Sequence, residues 1–165
     1  MIAGHVPIFA LLGLVVVGGL AACSPLKALN ALSPGGASTA TAGIPYGANP
    51  RHQLDIYVPN GGGSGAPVVV FFYGGNWHAG ERADYAFVGR ALASRGIVAV
   101  IPDYRLYPEV RYPDFLDDSA QAVAWTAREI GRYGGDPARL FVMGHSAGAY
   151  NAAMVALDST YLAKF

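Results

Sequence analysis

The residues best suited to chemistry lie in Leu140–Gly148, LFVMGHSAG. A short apolar run ends in Gly144-His145-Ser146-Ala147-Gly148, which fits G-x-S-x-G, and a proline-free, alanine-rich segment follows over Ala147–Leu157. The chemistry this pattern serves is covalent catalysis by a serine hydroxyl. A serine lifted out of a strand-to-helix turn sits at strained backbone angles, and its neighbours must lack bulk for the chain to double back. Gly144 and Gly148 remove the clashing side chains. The amide of Ala147, at the start of the helix, can point at a developing oxyanion. The competing reading is a strand–turn–helix with an incidental serine.

A second glycine motif favours the chemical reading. Acyl transfer through a serine needs two or more N–H groups aimed at the tetrahedral oxyanion, so a second loop must approach without side chains. Tyr73-Gly74-Gly75-Asn76-Trp77 can supply one, with Gly74-Gly75-Asn76 as the approach, directly after the apolar run VVVFF. Trp77 and His78 follow this loop and could line a substrate pocket as readily as pack. His145 neighbours the serine in sequence but points elsewhere if the turn is real. Asp103, Arg105 and Glu109 read as loop-bracing charges, and Asp118 as a capping or bracing group.

The elements that must position these motifs are legible as alternating strands and helices. Gln53–Val58 alternates apolar and polar residues, as a half-buried strand does. Pro67–Tyr73 and Ile97–Ile101 are continuous apolar runs of the kind buried on both faces of a parallel sheet. Between them, Asp84 is placed to cap a helix with Phe87, Val88, Ala91 and Leu92 on one face, ended by Gly96. Pro113-Asp114 opens a longer helix with Leu116, Ala120, Val123, Ala127 and Ile130 at helical spacing. Gly134 and Gly135 stop it before Leu140 starts the serine's strand. This alternation calls for right-handed crossovers and helices on both faces of a mostly parallel sheet.

Composition narrows the function class. At 165 residues, with 53% hydrophobic and 13% charged residues, the chain suits one domain with a real core and is not disordered. Eleven basic and eleven acidic residues cancel, so there is no electrostatic case for a nucleic-acid partner. The single cysteine rules out an internal disulfide, and no residues have metal-ligand spacing. No cofactor motif is present, and oligomeric state is not fixed by the sequence.

Residues 1–23 read as a signal segment, because Val6–Leu20 is almost wholly apolar, short for a membrane span, and leads into small residues. Leu20-Ala21-Ala22-Cys23 resembles the lipobox of bacterial lipoproteins. That resemblance implies lipidation at Cys23 and an exported, membrane-anchored protein of the periplasm or cell envelope. An ordinary cleaved signal and an uncleaved anchor are the alternatives. Residues 24–45, rich in Ala, Ser, Gly, Thr and Pro, read as a flexible linker, which leaves 46–165 as the folded domain.

The stretches FFYGGNWHAG, IPDYRLYPE, FLDDSAQAVAW and YGGDPARLFVMGHSAG, in that order, resemble α/β-hydrolase esterases and lipases of the hormone-sensitive-lipase and feruloyl/acetyl-esterase kind. The resemblance spans Gln53–Leu162. It implies the three-layer α/β-hydrolase fold, ester hydrolysis with Ser146 as nucleophile, and an oxyanion held by the amides of Gly75, Asn76 and Ala147. It also implies a small-molecule ester substrate and no cofactor. Tyr73 and Asn76 depart from the commoner HGGG loop. In this fold the orienting acid and the base, a histidine, follow the serine. After Ser146 the chain contains one acid, Asp158, and no histidine. It therefore reads as the N-terminal part of an esterase, without the later strands and helices, and is expected to be feeble by itself. A non-catalytic hydrolase-like remnant and an arylformamidase-like amide hydrolase stay open as alternatives.

Overall fold

In a computed structural model of the chain, residues 25–61 and 64–165 are described. The apolar N-terminal segment, with Cys23, lies outside the described residues. Two fully apolar runs form the centre of the sheet: β3 (Ala66–Phe72) and β4 (Val98–Pro102), with Val68, Val70, Phe72, Val98, Val100 and Ile101 shielded from solvent. They pair in parallel, Val68 to Val70 against Val98 to Val100. On one side of this pair lies β5 (Gly135–Gly144), parallel to β3 with Phe72 opposite Gly144. On the other lie β2 (Gln53–Pro59) and β1 (Ser38–Pro45), each antiparallel to its neighbour. The order is β1-β2-β4-β3-β5, a mixed sheet whose site-bearing half is parallel.

The helices lie where right-handed crossovers put them. The connection from β3 to β4 runs through α2 (Ala86–Ala93), and the return from β4 over to β5 runs through α3 (Asp114–Glu129). The two crossovers travel in opposite directions across the sheet, so their helices fall on opposite faces. Alternation along β3 agrees: Phe71 packs on Tyr85 just before α2, whereas Val68 and Ile130, the latter just after α3, close together over Gly135. The chain then passes from β5 into α4 (Ala147–Leu157) and the short α5 (Ser159–Leu162). Helix α4 packs on α3, completing three layers.

The stretch that composition marks as a linker is structured instead. Pro25–Leu32 forms a helix, α1, and Ser38–Pro45 is the edge strand β1. Composition misled because β1 is held by main-chain pairing to β2, which small residues support as well as large ones. Helix α1 is tied down by polar groups: Asn30 Oδ1 accepts from the Phe87 amide at 2.8 Å, and its Nδ2 donates to the Ala83 and Asp84 carbonyls. Asn30, from 57 residues away, thus caps α2 in place of Asp84.

Beneath the end of β4, a buried ionic group braces the loops. Arg82 binds Asp103 and Asp55 together, the latter at 2.7 Å, while Tyr73 Oη donates to Asp103 Oδ1 at 2.8 Å. Burial, then the Asp103 charge, push the Tyr73 hydroxyl well above the usual phenol range, so it stays a donor. Arg105 grips Asp118 at 2.6 Å and Glu109 accepts from Asn49 Nδ2 at 2.7 Å. The bracing expected of these residues is present, with partners that sequence does not show.

Among the described residues, no strand pairs with the outer edge of β5, and no helix is long and apolar enough to cross a membrane. On one face of β5, Leu140 and Val142 are part-buried; on the other, Phe141 is 59% and Met143 46% exposed. Apolar, unpaired edges template association with other chains. Replacing Phe141 and Met143 by Lys should therefore shift the chain toward monomer in concentration-dependent light scattering. An unchanged profile would show that this edge does not drive association.

Candidate functional site

The site is built from two loops at the C-terminal ends of adjacent parallel strands, where open α/β sheets place their ligands. The first is the turn from β5 into α4. Ser146 sits at φ 54°, ψ −121°, left-handed angles that cost a non-glycine residue on the order of 1–3 kcal/mol. Its side chain is exposed. The geometry of its glycines shows why the turn tolerates nothing larger. A Cβ on Gly144 would fall 2.2 Å from the Gly148 carbonyl oxygen, and one on Gly148 would fall 2.1 Å from that of Phe72. The turn is so tight that its two glycines touch, and α4 starts against the backbone of β3.

The second loop follows β3. Gly74 is buried against the serine turn, and a Cβ there would lie 3.0 Å from Ser146 Cβ. Gly75 (φ 137°), Asn76 (φ 54°) and Trp77 (φ 58°) then run consecutively through positive φ. A tryptophan in this region is a genuine outlier, and something must hold it there. The Gly75 carbonyl accepts from the His78 and Ala79 amides, at 3.0 and 3.1 Å, which closes the loop into a turn. The amides of Gly75, Asn76 and Ala147 make no turn, loop or side-chain hydrogen bond among the described residues. Ala147 opens α4, so its N–H has no intrahelical partner either. The sequence-chosen donors are thus free, on loops packed side by side.

A side chain absent from the sequence reading, Asn151, joins Trp77 of the glycine loop to the serine's helix. Trp77 Nε1 donates to Asn151 Oδ1 at 2.9 Å, and Asn151 Nδ2 donates to Ser119 Oγ at 3.1 Å. The Trp77 ring stacks on Phe115, centroids 5.1 Å apart, and meets Tyr150 edge-on at 5.7 Å. These aromatics line a cleft of about 350 Å³ beside the loop, together with Asn76, His78 and Tyr107. Trp77 and His78 therefore do line a pocket, as their position after the glycine loop suggests. A buried polar residue mid-helix was the one available signal for Asn151, and the alanines around it mask its spacing.

The remaining histidines and the late acid have other partners. His145 Nδ1 is 3.1 Å from Tyr85 Oη, and its ring lines a separate apolar cleft with Phe71 and Met143. The His78 ring packs at a tilt on Tyr107, with centroids 4.7 Å apart. His52 is buried against Tyr46; its Nε2 lies 3.1 Å from Asp118 Oδ1 but out of line, so both ring nitrogens lack hydrogen bonds. Asp158 caps α5 by accepting from the Thr160 hydroxyl and amide, which lowers its pKa. Among the described residues no cluster of three or more His, Cys, Asp and Glu could hold a metal.

Comparison with known proteins places this geometry in context. The BD-FAE family model matches residues 54–163. A probable isoprenylcysteine alpha-carbonyl methylesterase from Oryza sativa subsp. japonica is 41% identical over 113 residues, 68% of this chain and 27% of that protein. Carboxylesterase NlhH from Mycobacterium tuberculosis is 42% identical over 91 residues, 54% of this chain and 28% of that one. In three dimensions the chain resembles esterase B from Lactobacillus rhamnosis, crystallised with a C4-C4 tributyrin phosphonate inhibitor. The TM-score is 0.75 and the identity 26%, over 92% of this chain and 50% of that one. The chain thus spans about a quarter of the length of these curated relatives.

The packing at Gly148 yields a test in which two effects oppose. Alanine is the better helix former, by about 1 kcal/mol. Its methyl, however, would be driven into a backbone carbonyl that cannot move aside as a side chain could. Overpacking typically costs about 1–3 kcal/mol, and a backbone carbonyl that cannot yield puts this case toward the upper end, so the clash wins. Gly148→Ala should lower the urea midpoint of unfolding clearly; a midpoint equal to or above wild type would refute the close packing of α4 on β3.

Proposed function

Because the chain belongs to the BD-FAE family, whose sequence and fold relatives here are esterases, we propose that it serves carboxylic-ester hydrolysis with Ser146 as nucleophile. The observation that carries this reading is Ser146 at left-handed angles at the head of α4, with the Gly74 loop packed against it. Ser146 Oγ attacks the ester carbonyl carbon and gives up its proton to a base, while the carbonyl π electrons move onto oxygen. The unpaired amides of Gly75, Asn76 and Ala147 receive that oxyanion; its collapse breaks the bond to the alkoxide, which takes the proton back from the base, and water then cleaves the acyl-serine to the free acid. Fixed donors of this type are worth about 10²–10³ in rate each.

The aromatic cleft beside Trp77 takes the apolar part of a small ester. A methylesterase and a tributyrin-phosphonate-inhibited esterase among the relatives support a short or compact group at the reacting end. His52, buried against Tyr46, His78, packed on Tyr107, and His145, facing Tyr85, make no hydrogen bond to Ser146, so none of them is placed as its proton acceptor. A serine hydroxyl without a base is a weak nucleophile at neutral pH. The 165-residue chain by itself should therefore turn over p-nitrophenyl butyrate only feebly. It should still be labelled slowly by a fluorophosphonate at Ser146, as mapped by peptide mass spectrometry, and Ser146→Ala should abolish the label. Labelling at another residue, or a label that persists in Ser146→Ala, would overturn the reading.

The same proposal includes export and lipid anchoring through Cys23, supported by the LAAC sequence after an apolar run. Expressed in a bacterium, the wild type should enter the detergent phase of a two-phase extraction and Cys23→Ser should not. Equal partitioning would rule out the anchor.

A further inference from the structure

Three consecutive residues of the glycine loop hold positive φ, two of them non-glycine, and the last of them, Trp77, is tied to α4 and α3 by a chain of hydrogen bonds with a single direction. The indole N–H of Trp77 can only donate, so the side-chain atom of Asn151 that faces it at 2.9 Å must be the oxygen. The amide nitrogen then donates to Ser119 Oγ at 3.1 Å, and the Ser119 hydroxyl donates to the Phe115 carbonyl at 2.8 Å. Every donor and acceptor in the series is used in one sense. Asn151 and Ser119 are both fully buried. Asparagine is a poor helix-interior residue, and a buried one is tolerated only when its amide is satisfied. Asn151 lies in the second turn of α4, the helix that carries Ser146 at its head, and α3 supplies both Ser119 and Phe115. The Trp77 carbonyl is fixed as well, by the Tyr107 amide at 2.8 Å.

Resting on the reading of Ser146 and its amides above, we propose that Asn151 is a positioning residue for the reaction. It locks the Trp77 backbone at left-handed angles and so aims the Gly75 and Asn76 amides at the oxyanion. Since Asn151 and Ser146 share a helix, one rigid element sets both nucleophile and donors. Without this bond the loop relaxes toward ordinary angles, and the amides swing away although the cleft and the serine remain. Misplacement by about 1 Å costs about 10²-fold in rate.

The test uses the chain as it is, with a fluorophosphonate as probe and saturation kinetics that separate its affinity from the rate of bond formation at Ser146. Asn151→Leu should slow bond formation by about 10²-fold with little change in affinity. Trp77→Phe, which keeps the stacking and removes the donor, should do the same, and the double variant should be no worse than either. Asn151→Asp, which retains the acceptor but adds a buried charge, should keep the protected Trp77 indole N–H resonance that the Leu variant loses and recover only part of the rate. If Asn151→Leu folds cooperatively and reacts like wild type, or the two single effects add in full, the positioning role is refuted. Should the Leu variant fail to fold, a Trp77→Phe variant with wild-type kinetics refutes it equally. Absence of labelling in the wild type would overturn the serine reading, and this inference with it.

Discussion

The constraint on which the rest of this structure depends is a backbone-to-backbone contact. Helix α4 begins so close to the end of β3 that a single methyl on Gly148 would overlap the carbonyl oxygens of Phe72 and Tyr73. That approach fixes the parallel register of β3 and β5, in which Phe72 lies opposite Gly144 and donation from the His145 amide to the Phe72 carbonyl extends the ladder by one rung. It also leaves the serine turn no path except a tight one, which places Ser146 beside Gly74. From the other side Tyr104 Oη donates to the Tyr73 carbonyl at 2.7 Å, so the start of the glycine loop is clamped from two directions. Backbone packed on backbone is stiff, because it has no rotamers to absorb displacement.

This stiffness is what allows strain to persist. Ser146, Asn76 and Trp77 all sit at positive φ without being glycine, at on the order of 1–3 kcal/mol each. Such angles survive only where the surroundings over-determine them. Around the loop the surroundings are the aromatic stack of Trp77 with Phe115, the Asn151 link, and the ionic group of Arg82, Asp55 and Asp103. Arg51 extends that group by donating to Tyr73 Oη and to the Gly80 carbonyl at the far end of the loop. The loop's amides are held in place before any ligand arrives, which is the condition under which donors stabilise developing charge without reorganising.

What was legible in the sequence follows from which forces leave a local trace. Strands buried on both faces must be apolar throughout, so β3 and β4 were readable from VVVFF and from VAVI. The serine turn was readable because steric exclusion at Gly144 and Gly148 fixes residue type at fixed spacing. Strand β1 was not, since it contributes main-chain pairing to an edge and needs no apolar signature there. Nor was the cap on α2, because Asn30 acts across 57 residues while Asp84 merely stands in the usual place. The orientation of β2 was equally hidden: a half-buried strand looks the same whether it runs parallel or antiparallel to its neighbours. Asn151 illustrates the hardest case, a polar residue whose partners, Trp77 and Ser119, come from two other segments and carry no pattern that periodicity can detect.

The distribution of charge bears on the proposed chemistry. The formal balance of eleven acids and eleven bases says nothing about where they sit, and around the site the placement matters more than the sum. The buried carboxylates Asp55, Asp103 and Asp118 are each matched by an arginine, namely Arg82, Arg82 with Arg51, and Arg105. An unmatched carboxylate about 10 Å from a nascent oxyanion would oppose it by roughly 1.7 kcal/mol at an effective dielectric of about 20. That is more than a tenfold loss in rate. With every buried acid neutralised, the field at the site is left to the free amides of the two loops and to the positive end of α4, both of which favour an anion. The ionic group is thus a mechanical brace for Tyr73 and the glycine loop and, under the proposed chemistry, leaves no unmatched carboxylate to oppose charge beside Ser146.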